Sequence, residues 1–194
     1  MLEAGVAGIL VWVSTVFEEL QIPYALGGSL ASTVHGRFRN TNDADFVANM
    51  QLNHVAPFVE IIGDGFYRDV DMIRNAVVRR SSFNMIYLPT MFKVDVFVTQ
   101  HRPFDKLQLE RRIRGRLPGI DDLIYVTSAE DTILAKLHWF RLGGETSERQ
   151  WRDVLEVTIA QSNRLDLNYM RNTALTLGVG DLLTKMLHAA NQDL

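Results

Sequence analysis

The apolar positions near the N-terminus change from helical to extended spacing. Over residues 5–20 apolar side chains recur every three or four positions, which predicts an amphipathic helix. Tyr24–Leu26 forms a short apolar run that two glycines interrupt, and this pattern is typical of a brief strand. Ser29 follows the glycines and is placed to cap a helix over residues 30–38.

The middle of the chain mixes both kinds of spacing. The elements that the pattern predicts there are a strand over residues 45–49, helices over 54–62 and 69–78, and strands over 82–88 and Phe92–Val98. Pro89-Thr90 favours a tight hairpin turn between the last two strands. Residues 101–116 predict a helix followed by a strand, and residues 124–126 predict a short edge strand.

From residue 128 onward every predicted element is helical. Either Thr127 with Glu130 or Ser128 with Asp131 resembles a capping box, and the helix behind it extends to about residue 142. Further helices are predicted over residues 147–161, 167–177 and 179–190. We therefore expect an α+β protein with a mixed core over residues 1–126 and a helical C-terminal subdomain over residues 127–194.

Composition narrows the chemistry without deciding it. The chain has 194 residues, a net charge of −3 at pH 7 and no cysteine, which excludes disulfides, thiolate catalysis and zinc bound by cysteine. The N-terminal apolar stretch has no basic residue before it and is interpreted as a buried helix rather than a signal peptide. No apolar run is long enough to span a membrane. We expect a cytoplasmic protein with no membrane partner.

Three aspartates indicate where chemistry could occur. Asp43 and Asp45 stand two positions apart at the start of a predicted strand, so their carboxylates point to the same face. Asp95 lies inside an apolar strand, on the face that also carries Lys93 and Phe97. Such a carboxylate is costly unless it is paired, with an arginine for example, or binds a cation. Three adjacent carboxylates suit Mg²⁺ or Mn²⁺, which prefer oxygen ligands and leave positions open for phosphates.

A glycine-rich turn precedes the aspartates. Gly27, Gly28 and Ser29 link a predicted strand to a predicted helix. Glycines allow the backbone to approach a ligand closely, and a helix N-terminus offers N–H groups to an anion. A nucleoside triphosphate (NTP) could bind there, with the Ser29 hydroxyl as a further donor.

The order of these motifs resembles the nucleotidyltransferase superfamily typified by DNA polymerase beta. The segment GGSLASTVHGRFRNTNDADF is similar to small bacterial members, which include the abortive-infection (AbiEii-like) nucleotidyltransferase toxins of toxin–antitoxin systems. The C-terminal segments EDTILAKLHWFR and SERQWRDVLEV resemble the helical region of that group. The resemblance implies a nucleotidyltransferase fold, with a mixed sheet flanked by helices.

The resemblance also implies roles for individual residues. Gly28 and Ser29, with Gly27 beside them, would contact the phosphates, whereas Asp43, Asp45 and Asp95 would be catalytic and bind the metal ions. Lys136 matches a helix lysine that approaches the phosphates, and Asp153 matches a later active-site aspartate.

The sequence also allows purely structural roles for some of these residues and their neighbours. Lys136 could instead extend its stem along an apolar helix face, and Asp153 could form an i,i+4 pair with Arg149. Arg39 could contact phosphate or neutralise the carboxylates, as could Arg37.

Four further features have more than one reading. His35 could touch a nucleotide, although a local hydrogen bond at a helix end is commoner. We expect Trp139 and Trp151 to be core residues rather than base-stacking platforms. Residues 101–116 could bind an RNA backbone or form a solvated basic face.

The expected reaction is transfer of a nucleoside monophosphate (NMP) from an NTP to a hydroxyl, with release of pyrophosphate. The acceptor could be an RNA end, a protein or a small molecule, and the toxin-like resemblance adds an antitoxin as a candidate partner. The main alternative is a nucleotide- or partner-binding module that kept the fold without turnover. A metal-dependent nuclease would also use clustered acids, but it would need no glycine-rich triphosphate site.

Overall fold

The structure is a computed structural model that describes residues 5–36, 41–119 and 121–192. Its first half contains the following elements in chain order: α1 (Val6–Glu19), β1 (Tyr24–Leu26), α2 (Gly28–Val34), β2 (Asp43–Ala48), α3 (Leu52–Ile62), β3 (Phe66–Tyr67), α4 (Val70–Arg79), β4 (Ser82–Tyr87) and β5 (Phe92–Val98). The second half continues with α5 (Pro103–Glu110), β6 (Ile113–Gly115), β7 (Ile124–Val126), α6 (Ala129–Leu142), α7 (Glu148–Gln161), α8 (Leu167–Thr176) and α9 (Gly180–Gln192).

The seven strands form one mixed sheet in the order β3-β4-β5-β2-β1-β7-β6. At its centre β2 and β5 run parallel, and β1 pairs antiparallel with β2 on the other side. Side chains of β2 and β5 alternate between buried and partly buried, as expected when only one face of a sheet packs into the main core. The apolar positions of both strands therefore share one face, and the aspartates share the other.

Buried apolar side chains form two clusters. The larger cluster joins α1, α3 and α4 to the apolar face of the sheet, where the rings of Phe17 and Phe46 lie 5.6 Å apart. The smaller cluster joins α6, α7, α8 and α9 and includes Phe104 from α5. This arrangement accords with a mixed core and a helical C-terminal part, although a boundary at residues 126 and 127 stays a prediction.

Hydrogen bonds tie the two parts together beside α2. The His35 side chain is buried and its Nε2 lies 2.8 Å from the Thr127 carbonyl oxygen. Gln161 of α7 donates from Nε2 to the His35 carbonyl at 2.9 Å. Burial lowers the pKa of His35. The histidine is therefore a structural link, and its side-chain hydrogen bond reaches a residue 92 positions away instead of the local partner expected from the sequence.

The sequence predicted most elements to within two residues, but it missed the short strand β3, and it was wrong about the cap and end of α2 and about the place of β7 in the sheet. Ser29 does not cap α2, because the helix begins at Gly28 with Gly27 as its N-cap, and it ends at Val34 rather than residue 38. The strand at residues 124–126 is not an edge strand, because β7 lies between β1 and β6. The capping choice at α6 is settled: the Ser128 hydroxyl accepts from the Asp131 N–H at 3.1 Å. Among the described residues no helix is both long and apolar enough to cross a membrane.

Candidate active site

Three carboxylates lie on one face of the two central strands. Asp45 of β2 is the register partner of Asp95 on β5, and Asp43 precedes Asp45 by two positions on the same face. The side chains at all three positions are partly buried, on the side of the sheet opposite the main core. The structure therefore brings together the three aspartates that the sequence singled out.

Two of these carboxylates have close partners. Lys93 Nζ lies 2.6 Å from Asp95 Oδ2, and Thr41 donates its hydroxyl to Asp43 Oδ1 at 2.5 Å. Lys93 stands two positions before Asp95 on the same strand face, and it is the register partner of Asp43. Its proximity to the acids raises the pKa of Lys93, chiefly through the hydrogen bond to Asp95. Strand parity placed Lys93 on this face, but nothing in the sequence showed that it would pair with Asp95 in place of an arginine.

The surroundings of the third carboxylate, Asp45, disfavour its ionised form. Burial raises the pKa of Asp45 to about 6, and the negative charges of Asp43 and Asp95 add to that increase. The cations of Lys136 and Lys93 oppose it only in part. A group in such a position is stabilised by any further positive charge that comes to it, and perturbed acids of this kind are frequent at functional sites.

The donor set fits Mg²⁺ or Mn²⁺ in its chemistry. Carboxylate oxygens on adjacent strands are the ligands that these ions prefer, and the charges of Asp43 and Asp95 add to the effect of burial in raising the pKa of Asp45. Within the described residues, however, no group of three or more His, Cys, Asp or Glu side chains is arranged as a ready-made metal cage. Lys93 would also compete with a cation for Asp95, because its ammonium group lies 2.6 Å from Asp95 Oδ2.

The glycine-rich turn packs directly against Asp45. The Gly27 N–H donates to the Asp45 carbonyl at 2.7 Å. Gly28 adopts a left-handed φ of 58°, and a Cβ atom at this position would lie 1.9 Å from Asp45 Oδ2. Any side chain there would displace the carboxylate, so both the backbone conformation and the close approach require glycine.

A cleft of about 780 Å³ opens over this face of the sheet. One wall carries Gly28, Ser29 and Asp45, and the opposite wall carries side chains of α6 and α7, including Lys136 and Asp153. The volume lies within the range of small-molecule sites, which is roughly 300–1,000 Å³. Asp45 is thus the one member of the aspartate trio that lines the cleft itself.

Lys136 and Asp153 form an ion pair on the helical wall. Lys136 Nζ lies 3.2 Å from Asp153 Oδ2, and the two side chains are only 13% and 4% exposed. Lys136 is close enough to lower the pKa of Asp45 across the cleft. The lysine therefore faces the carboxylates and does not simply follow an apolar helix face. Asp153 holds it there.

Other sequence expectations have different outcomes. Arg37 and Arg39 lie outside the described residues. Trp139 was expected in the core but is 53% exposed and lines the cleft, whereas Trp151 is partly buried in the smaller cluster. Much of the basic segment at residues 101–116 is engaged within the chain: Arg111 lies 3.8 Å from the centre of the Tyr169 ring, and Arg114 lies 3.9 Å from that of Tyr125. These contacts favour a structural role over an RNA-binding face.

Solved structures share the overall fold of this chain at low sequence identity. The antibiotic-resistance factor ANT(2'')-Ia superposes with a TM-score of 0.53 and 13% identity, over 95% of this chain and 94% of that chain. An antigenic nucleotidyltransferase-like protein from Paracoccidioides brasiliensis superposes with a TM-score of 0.53 and 17% identity, over 93% and 92% of the two chains. The chain has the nucleotidyltransferase fold. The fold class expected from the sequence is confirmed. Comparison with protein-family models and with curated proteins finds no match.

Within the nucleotidyltransferase fold of this chain, each candidate group comes from a defined element. The central strands β2 and β5 supply the acids, the turn at the start of α2 supplies glycine backbone, and α6 and α7 supply a lysine and its partner. The match extends over nearly the whole chain, so the helical C-terminal part belongs to the shared architecture.

Proposed function

We propose that the protein is a metal-dependent nucleotidyltransferase that transfers an NMP from an NTP to a hydroxyl acceptor and releases pyrophosphate. The observation that carries this proposal is the position of Asp45. Its carboxylate lies against Gly28, beside Asp95 and in the field of Lys136, on the wall of a cleft of small-molecule size. Acids, phosphate-binding backbone and a facing cation are what in-line nucleotidyl transfer needs in one place.

Binding of the triphosphate is assigned to groups on both walls. The backbone at Gly27, Gly28 and Ser29 would receive the phosphates, because a glycine turn before a helix presents N–H groups without side chains in the way. Lys136 would approach the same phosphates from α6, and Asp153 would hold its stem in position. The buried ion pair with Asp153 fixes the position of the Lys136 ammonium group beside the cleft.

The transfer step exchanges a phosphoanhydride bond of the NTP for a phosphoester bond to the acceptor. The acceptor oxygen forms a bond to the α-phosphorus, the bond from that phosphorus to the bridging oxygen breaks, and pyrophosphate leaves with the electron pair. Asp95 is the base that takes the acceptor proton, and Lys136 stabilises the negative charge on the leaving group. Asp43, Asp45 and Asp95 would hold Mg²⁺ or Mn²⁺, which when bound neutralises charge on the phosphates.

A silent binding module is the second candidate. The Lys93 contact with Asp95 favours it to some extent, because an occupied carboxylate is a poor base and a poor metal ligand. The toxin-like resemblance would give either version an antitoxin as partner. The two candidates differ in one measurable respect: both bind an NTP, and only the enzyme consumes it.

The test is incubation of the protein with each of the four α-labelled NTPs and Mg²⁺, together with total RNA, a protein extract or a mixture of small hydroxyl compounds. The enzyme transfers label to one of these acceptor classes and releases pyrophosphate, and Asp45→Asn abolishes the transfer. NTP binding without transfer to any acceptor would support the silent module. Absence of NTP binding would exclude the enzyme and a nucleotide-binding module, and would leave a partner-binding module.

A further inference from the structure

An aromatic pair stands in the cleft beyond the carboxylates. The ring centres of Trp139 on α6 and Phe97 on β5 lie 5.8 Å apart at an interplanar angle of 58°. The Trp139 side chain is 53% exposed, and both residues line the cleft. An exposed aromatic pair inside a cleft offers a flat apolar surface to a ligand.

The pair lies next to the groups proposed to bind phosphate. Trp139 follows Lys136 by three positions on α6, which places the two side chains about one turn apart on the same helix face. Phe97 follows Asp95 by two positions on β5, so it shares the strand face about 7 Å further along. A nucleotide has the same layout, because a ribose separates its flat base from the α-phosphate.

Two oppositely charged residues of the cleft lining pair with each other. Arg102 Nη2 lies 3.0 Å from Asp105 Oδ1, and both residues line the cleft. Both also act on His138, the neighbour of Trp139, whose pKa is lowered by burial first and then by Arg102. Their charges offset each other, which is compatible with an uncharged heterocycle beside Trp139. Arg149 is a further cation in the cleft lining.

We propose that Trp139 and Phe97 form the stacking surface for the nucleobase of the bound NTP. The inference rests on the proposed function, since it assigns the base end of the same substrate. Every nucleobase presents a flat π-face, so stacking by itself would select weakly among the four bases. Loss of one such stack weakens binding roughly tenfold.

The experiment compares two probes by calorimetry in Mg²⁺: a non-hydrolysable NTP analogue and inorganic tripolyphosphate, which has no base. Wild-type protein should bind the analogue more tightly than tripolyphosphate. Trp139→Leu should lower affinity for the analogue roughly tenfold and leave tripolyphosphate affinity unchanged. Trp139→Phe should keep most of the affinity. Tyr67→Leu is the control, because Tyr67 is an aromatic residue 61% exposed on β3, away from this cleft.

Each other outcome has a defined meaning. Equal affinity of wild type and Trp139→Leu for the analogue would overturn the stacking proposal, and so would an equal loss for both probes. If wild type bound the two probes equally, the base would not be recognised and this inference would fail while the proposed function stood. If wild type bound neither probe, the proposed function would fail and this inference with it.

Discussion

Replacing Asp45 by asparagine should stabilise the metal-free protein, although the residue is central to the proposed site. Burial and two neighbouring acids raise the pKa of Asp45 from 3.8 to about 6 in the folded protein. A difference of about two pKa units corresponds to about 3 kcal/mol, at 1.36 kcal/mol per unit. The ionised carboxylate therefore destabilises the fold, and an asparagine of the same shape would remove that cost.

The destabilisation that the ionised Asp45 carboxylate causes depends on pH. Below about pH 4 the carboxyl is protonated in both the folded and the unfolded state, so the variant gains nothing there. Between about pH 4 and pH 6 the unfolded state releases its proton first, and the cost to the wild type grows. Above about pH 6 the cost is constant. The stability difference should thus be near zero at pH 4 and reach about 3 kcal/mol at pH 8.

Urea unfolding of wild type and Asp45→Asn in EDTA, at pH 4 and at pH 8, measures this difference in the free energy of unfolding directly. Asp64→Asn is the control, because the Asp64 side chain is fully exposed and should show no comparable pH-dependent gain. Saturating Mg²⁺ should narrow the difference at pH 8 by stabilising the wild type. An Asp45→Asn variant that is no more stable than wild type at pH 8, or whose gain does not depend on pH, would refute the reasoning.

Three further substitutions test the surroundings of Asp45. Gly28→Ala should abolish NTP binding measured by calorimetry, because its Cβ would lie 1.9 Å from Asp45 Oδ2. Gly119→Ala is the control and should bind NTP normally, because Gly119 has a similar positive φ but a Cβ there would meet nothing within 4 Å. Lys136→Met should lower the free energy of unfolding by about 3–5 kcal/mol, because it removes an ion-pair partner of buried Asp153, and it should also lower NTP affinity. A Lys136→Met/Asp153→Leu double variant should recover stability but not NTP binding. Lys93→Met should give a larger rise of Tm on addition of Mg²⁺ than wild type, because Asp95 is then open to the ion; an equal or smaller rise would contradict a competing role for Lys93.

The sequence could predict the elements because their signals are local. Strand parity put Asp43, Asp45 and Asp95 on common faces, and the structure confirms that these faces coincide, since β2 and β5 pair in parallel with Asp45 beside Asp95. That pairing itself is long-range and follows from the resemblance rather than from periodicity. Ser29 failed as a cap because α2 already begins at Gly28, and the preceding Gly27 is bonded to the Asp45 carbonyl, a long-range contact that no local pattern records.

Side-chain partners were the least predictable part of the site. Lys93 and Asp95 are two positions apart and could equally have stayed separate, yet they meet at 2.6 Å because the sheet leaves both on one face. Lys136 and Asp153 come from different helices, and only the packing of α6 against α7 brings them together. Trp139 was expected in the core because tryptophan is usually buried, but it lies on the α6 face of Lys136, and that face lines the cleft.

Binding of a divalent ion by the carboxylates is the central claim, and Mn²⁺ titration followed by electron paramagnetic resonance measures it most directly. The titration is carried out in the presence of a non-hydrolysable NTP on wild type and on three variants, Asp43→Asn, Asp45→Asn and Asp95→Asn. Asp71→Asn is the control, because the Asp71 side chain is 84% exposed on α4. The account predicts Mn²⁺ bound to wild type and to the control, and at least tenfold weaker binding to each of the three other variants. Undiminished Mn²⁺ binding in the Asp45→Asn variant would contradict it.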